Sequence, residues 1–195
     1  MDKRILTDCD GVLLDWQFAF DVWMSEHGYE LIAGTEKLYL QTLRYGITDN
    51  EALDCIKAFN ESGAVGFLPA RGDSVEYVTK LAREGWRFEV ISSLHIDKYA
   101  QKLRAKNLIH IFGDIFDKID ASLDFTQGKE EYLRTHYEDS GLHWVEDSAT
   151  HAEAGIRVGL KSIIMDHEYN RHYAGVRANS WEEIYRIIND TTSRS

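Results

Sequence analysis

Asp8-Cys9-Asp10-Gly11-Val12-Leu13-Leu14-Asp15 follows directly on the short apolar run Arg4 to Thr7 (R-I-L-T). That run reads as a buried strand stopped by acid and glycine. Two carboxylates at i and i+2, just past a strand, face one small volume. Gly11 lets the backbone turn away sharply. Close carboxylates repel, so one holds a proton or a cation sits between them. The bland alternative is a solvated acidic turn. Three aspartates and a glycine at these offsets, behind a buried strand, favour instead a nucleophile, an acid and half a metal site.

Working outward, helical patterns are expected over Asp15 to His27, Thr35 to Tyr45 and Thr48 to Asn60. Thr48 and Glu51 form a capping box in the last of these, and Leu53, Ile56 and Phe59 give it an apolar stripe. Gly63 to Gly72 holds three glycines and the only proline, Pro69, and reads as a linker. Beyond it helices and short apolar strands alternate. Helices are expected at Asp73 to Arg83, Ile96 to Lys106, Lys129 to Tyr137 and Thr150 to Val158. Ser180 and Glu183 cap a last helix. Strands are expected at Arg87 to Ile91, Leu108 to Phe112, His143 to Val145 and Ser162 to Met165. Residues 113–127 show no clear period, and Thr192 to Ser195 read as a frayed tail. The pattern predicts an α/β fold: a Rossmann-like parallel sheet with helices on both faces. The core comprises residues 1–15 and 70–195, with a small all-helical cap inserted at 16–69.

Ligands in such folds bind outside the carboxyl ends of the strands. Two further strand ends are therefore informative. Val90-Ile91 runs into Ser92 and Ser93, hydroxyls able to donate to a phosphoryl oxygen. Trp144-Val145 runs into Glu146 and Asp147, oxygen ligands suited to a hard divalent cation. Lys129 opens a helix, where the helix dipole disfavours a cation unless an anion is bound nearby. Lys118 is the reserve candidate.

The chain of 195 residues is 44% hydrophobic and 12% aromatic, ample for one core. Its net charge of -11 excludes polymeric nucleic acid and anionic membranes as expected partners, though not a small anion held by a local cation. Cys9 and Cys55 form no disulfide framework and read as reduced, buried thiols. No apolar run is long enough to span a bilayer, and the start (Met1, Asp2, Lys3, Arg4) lacks a signal-peptide pattern, so the cytoplasm is the expected compartment.

Taken together, D-C-D-G-V-L-L-D at Asp8 to Asp15, Ser92, Lys129 and the pair Glu146–Asp147 resemble the haloacid dehalogenase superfamily in its phosphatase branch. The resemblance spans residues 4 to about 166. It implies Mg²⁺-dependent hydrolysis of a small phosphorylated metabolite or nucleotide. Asp8 would be the nucleophile, Asp10 the acid and base, and Ser92 and Lys129 the phosphoryl ligands. Asp8, Asp10, Asp147 and Glu146 would serve the metal. Glu130 stands where many members have proline, and His151 where many carry another acid or Asn. The helical insert and the F-L-P-A-R-G-D segment are similar to deoxyribonucleotidase-like members. Trp16, Ser93, Arg44 and Arg71 are candidate substrate contacts. Two other readings are a sugar phosphomutase of the same superfamily and a non-catalytic phosphate- or Mg²⁺-binding regulator.

Overall fold

Strand β1 (Arg4–Thr7) has four residues, yet it lies inside a sheet and is paired along both edges. In the computed structural model, residues 3–94 and 96–192 are described. Met1, Asp2 and the end of the expected tail, 193–195, lie outside the described residues. The other strands are β2 (Arg87–Ser93), β3 (Phe116–Leu123), β4 (His143–Glu146), β5 (Lys161–Met165) and β6 (Val176–Ala178). All neighbours are parallel, in the order β3-β2-β1-β4-β5-β6. The helices are α1 (Trp16–Glu26), α2 (Gln41–Tyr45), α3 (Asp49–Glu61), α4 (Ser74–Arg83), α5 (Lys98–Phe112), α6 (Glu130–Tyr137), α7 (Ala149–Arg157) and α8 (Trp181–Thr192). The α/β architecture expected from the sequence is the one observed. No helix among the described residues is long and apolar enough to cross a membrane.

Alternation along the strands splits the core between two faces. Ile5, Val90, Val145 and Ile163 point to one cluster, which also holds Val78 and Leu81 of α4, Leu108 of α5 and Ile184 of α8. Leu6, Ile91 and Trp144 point to the other, with Leu133 and Tyr137 of α6. The sheet is thus covered on both sides, which is why its strands read as continuous apolar runs.

The first cluster does not stop at the sheet. It continues through Leu13, Leu14, Val65 and Leu68 into Phe20, Met24, Cys55 and Phe59 of the helical insert. The chain leaves the core and returns along two paired crossings: Asp15 N–H donates to Pro69 O at 2.9 Å, and Arg71 N–H donates to Leu13 O at 2.9 Å. The buried side chain of Asn107 on α5 holds the return segment, accepting from Leu68 N (3.0 Å) and donating to Leu68 O (3.1 Å).

Three expectations are corrected. Leu108 to Phe112 is not a strand but the last turn and more of α5, and the third strand lies at Phe116–Leu123. Thr35 to Tyr45 is helical only from Gln41. Arg44 Nη1 donates to the carbonyls of Thr35 (3.3 Å), Leu38 (3.2 Å) and Glu36, pulling them from helical bonding. In α8, Ser180 Oγ does accept from Glu183 N at 3.3 Å, but the Glu183 carboxylate turns to Asn179 N instead of closing the box. Asp73, at the start of α4, accepts from Trp181 N (2.9 Å) and Glu182 N (3.0 Å).

Candidate active site

Chain order reverses between β1 and β4, so the loops leaving those strands diverge and open a crevice. Asp8 N–H donates to Val145 O at 2.8 Å, extending the pairing by one residue. This sets Asp8 beside Glu146 and Asp147. Oxygens of these three carboxylates lie within 4.8 Å of one another. After Asp8 the backbone folds tightly. Gly11, at φ +73°, donates to Leu14 O at 2.9 Å, and a Cβ there would collide with the Asp147 carboxylate. Asp15 ends the motif as N-cap of α1, accepting from Phe18 N at 3.2 Å.

Lys129 precedes α6 and is buried, its Nζ lying 2.8 Å from Asp8 Oδ1 and 3.0 Å from Glu146 Oε2. Both carboxylates hold its amine in the charged form, against the desolvation that opposes charge. Glu146 is fully buried, and its second oxygen accepts from Asp147 N and Ser148 N, both at 3.1 Å. With Lys129 it forms a counter-ion pair, which holds Glu146 well below the usual carboxylate range despite its burial. Burial drives Asp8 and Asp147 the other way, assisted by the Glu146 charge; Asp147 is pushed up to about 8. A buried carboxylate (Asp8) and a half-buried one (Asp147) that resist ionisation beside all-oxygen donors fit a hard divalent cation, which would relieve both.

These groups floor a cavity of about 510 Å³, walled on the far side by the helical insert. Among residues named from the sequence, Asp8, Asp10, Trp16, Ser93, Lys129, Glu146, Asp147 and His151 line it. Ser92 is buried behind the wall; the hydroxyls of Ser92 and Ser93 have no hydrogen-bond partner among the described residues. His151 Nδ1 lies 3.8 Å from Glu146 Oε2. Lys118 stands elsewhere, donating to Tyr132 OH at 2.7 Å. Arg44 and Arg71 are corrections, as neither lines the cavity. Arg44 is buried inside the insert and paired with Asp21 at 2.5 Å. Arg71 lies in the return crossing, outside the wall.

No protein-family model matches the chain. It is 24% identical over 196 residues to an uncharacterised 32.4 kDa protein of bacteriophage T4, covering 94% of this chain and 69% of that one. A predicted phosphatase from Clostridium acetobutylicum superposes with a TM-score of 0.69 at 15% identity, over 97% of this chain and 99% of that one. A haloacid dehalogenase-like hydrolase from Streptococcus pneumoniae gives 0.67 at 13% identity, over 95% and 98%. The chain has the haloacid dehalogenase fold. A hydrolase of the same fold from Deinococcus radiodurans, solved with phosphate and sodium bound, gives 0.63 at 17% identity, over 96% and 95%.

Within this haloacid dehalogenase fold, several site residues escape sequence reading. Arg104 of α5 is fully buried, and its Nη1 pairs with Asp10 Oδ1 and lies 3.3 Å from Cys9 Sγ. Burial still outweighs Arg104 and raises the Asp10 carboxyl above its ordinary range. Tyr169 OH donates to Asp147 Oδ2, and Asn170 Nδ2 donates to Asp147 O at 2.7 Å. His167 Nε2 meets Gly11 O at 3.0 Å; burial lowers its imidazole to about 4, so the neutral ring donates. No local signal marks these four, because their partners in the site lie 22 to 156 residues away. Cys9 and Cys55 are free and buried, as expected.

Proposed function

We propose that the protein is a cytoplasmic, Mg²⁺-dependent phosphomonoester hydrolase working through an aspartyl-phosphate. Residues 16–69 act as the cap that contacts the leaving group. The observation that carries this reading is the buried Asp8 carboxylate, paired with Lys129 and grouped with Asp147 at the switch point of the sheet.

Asp8 attacks phosphorus through a carboxylate oxygen, and the bond to the leaving oxygen breaks with its electron pair. Asp10 gives that oxygen its proton; burial raises its carboxyl above the ordinary range, which favours the protonated form. Asp10 then takes a proton from water as the water oxygen attacks phosphorus. The phosphorus–Asp8 bond breaks, restoring the carboxylate and releasing inorganic phosphate. Lys129 remains charged throughout and neutralises Asp8 and the transferring group. The unpartnered hydroxyl of Ser93, which lines the cavity, can donate to a phosphoryl oxygen, and Ser92 stands buried next to it. Asp8 and Asp147 side chains and the Asp10 carbonyl would hold Mg²⁺, which when bound supplies Lewis-acid stabilisation of the phosphoryl charge.

The test is release of p-nitrophenol from p-nitrophenyl phosphate. Wild-type protein should turn over repeatedly with Mg²⁺ and stop with EDTA. Asp8→Asn should lose at least about a thousandfold in kcat, the scale on which removal of a covalent nucleophile acts. Near-normal turnover by purified Asp8→Asn would reject the covalent scheme. Stable self-phosphorylation without release would favour a regulator.

A further inference from the structure

The charge on the cavity wall is lopsided. Asp8, Asp10, Asp49, Glu146 and Asp147 line it, and the sole lysine or arginine among its lining residues is Lys129. A divalent cation held by Asp8 and Asp147 would join Lys129 as the positive charge facing a phosphoryl group. Lys129 is already committed to Asp8 and Glu146. Arg104 is committed to Asp10. No lining lysine or arginine is left to meet a second anionic group.

The residues that the helical insert adds to the lining have a different character. Leu40, Leu53 and Ile56 are among them, and Leu40 and Leu53 are about half exposed although apolar. The polar side chains nearby include the amides of Gln17 and Gln41, which carry no charge and bond one another at 2.8 Å. Asp49, in the first turn of α3 and one turn before Leu53, adds a carboxylate to this lining. Apolar surface left exposed inside a cavity is stabilised by covering it with apolar ligand surface. A carboxylate beside it penalises an anion at that place.

Resting on the hydrolase reading above, we propose that the substrate is a monophosphate ester of an uncharged, largely apolar alcohol. Esters carrying a second anionic group are rejected. Nucleoside and simple aryl alcohols share this chemistry, whereas the bisphosphate that a sugar phosphomutase must hold does not.

The experiment measures phosphate release by the full chain with Mg²⁺ on matched pairs. These are a nucleoside 5′-monophosphate against its 3′,5′-bisphosphate, and p-nitrophenyl phosphate against p-carboxyphenyl phosphate. A third pair is glycerol 3-phosphate against 3-phosphoglycerate. The uncharged member of each pair should have a kcat/KM at least about tenfold higher. The nucleoside and aryl arms then distinguish the two sources of the shared chemistry. Equal or better use of the anionic members overturns the inference. Asp49→Lys, at an exposed helix position, should narrow the ratio, and an unchanged ratio overturns the electrostatic account. Calorimetric binding of the same pairs to Asp8→Asn with Mg²⁺ reads selectivity without turnover. Selective binding without hydrolysis by the wild type overturns only the hydrolase reading. Hydrolysis without selectivity overturns only this inference.

Discussion

Gly11 shows how much one residue decides at this site. Its φ of +73° is a left-handed conformation that costs a side-chain-bearing residue about 1–2 kcal/mol. Its missing Cβ leaves the space that the Asp147 carboxylate occupies. Its carbonyl is held by His167 at 3.0 Å. Gly11→Ala should therefore act on the cation more than on the fold. We expect the half-saturating Mg²⁺ concentration to rise about tenfold or more, as when a supporting contact of a metal ligand is lost. Thermal stability should fall by only a few degrees. A Mg²⁺ titration of activity or of melting temperature checks this. The glycine and its flanking aspartates were legible in the sequence because the motif is local. Arg104, His167 and Tyr169 were not, because each reaches its partner only after the sheet has assembled. Arg44 misled for the opposite reason: an arginine in an insert suggests an anion contact, but its guanidinium is consumed by backbone carbonyls and Asp21.

Among the elements, those with buried faces on both sides were readable, and the edges were not. Strand β3 reads F-D-K-I-D-A-S-L, with most of its residues only partly buried. An edge strand takes polar residues, so it lacks the apolar run that marks β2. The apolar run L-I-H-I-F belongs instead to α5, where Leu108 and Phe112 are buried four residues apart. Strand β6 has three residues, too few for any period to show. Helix α8 shows a cap supplied across the fold, since Asp73 accepts two of its first N–H groups. Asp73→Ala should leave both donors without that partner and cost about 1–2 kcal/mol. Urea unfolding should show this as a lower midpoint with an unchanged slope, while the sheet-edge site keeps its turnover at low temperature.

For the whole molecule, acid sensitivity has a source away from the site. His143 begins β4, and burial first, then the Lys161 charge, lowers its imidazole from 6.5 to about 4. In the unfolded chain it takes a proton near its ordinary value; in the folded chain it resists until about 4. The unfolded state therefore binds more protons across that window, and stability falls as pH drops from 6.5 to 4. The loss amounts to about 3 kcal/mol at most. Above that window the contribution is fully present. His143→Gln should flatten the difference between unfolding free energies measured at pH 7 and pH 4.5, relative to wild type. An identical difference in both proteins would assign the acid loss to other groups.

The apolar cluster that runs unbroken from the sheet into the insert has its own bearing on how ligands come and go. A jaw that swung on the crossings at Asp15 and Ala70 would have to tear Phe20, Met24 and Phe59 from the same oil drop as Leu13 and Leu14. The insert therefore shares its apolar packing with the core across the crossings. Heating should accordingly melt the sheet and the insert together, in one calorimetric step.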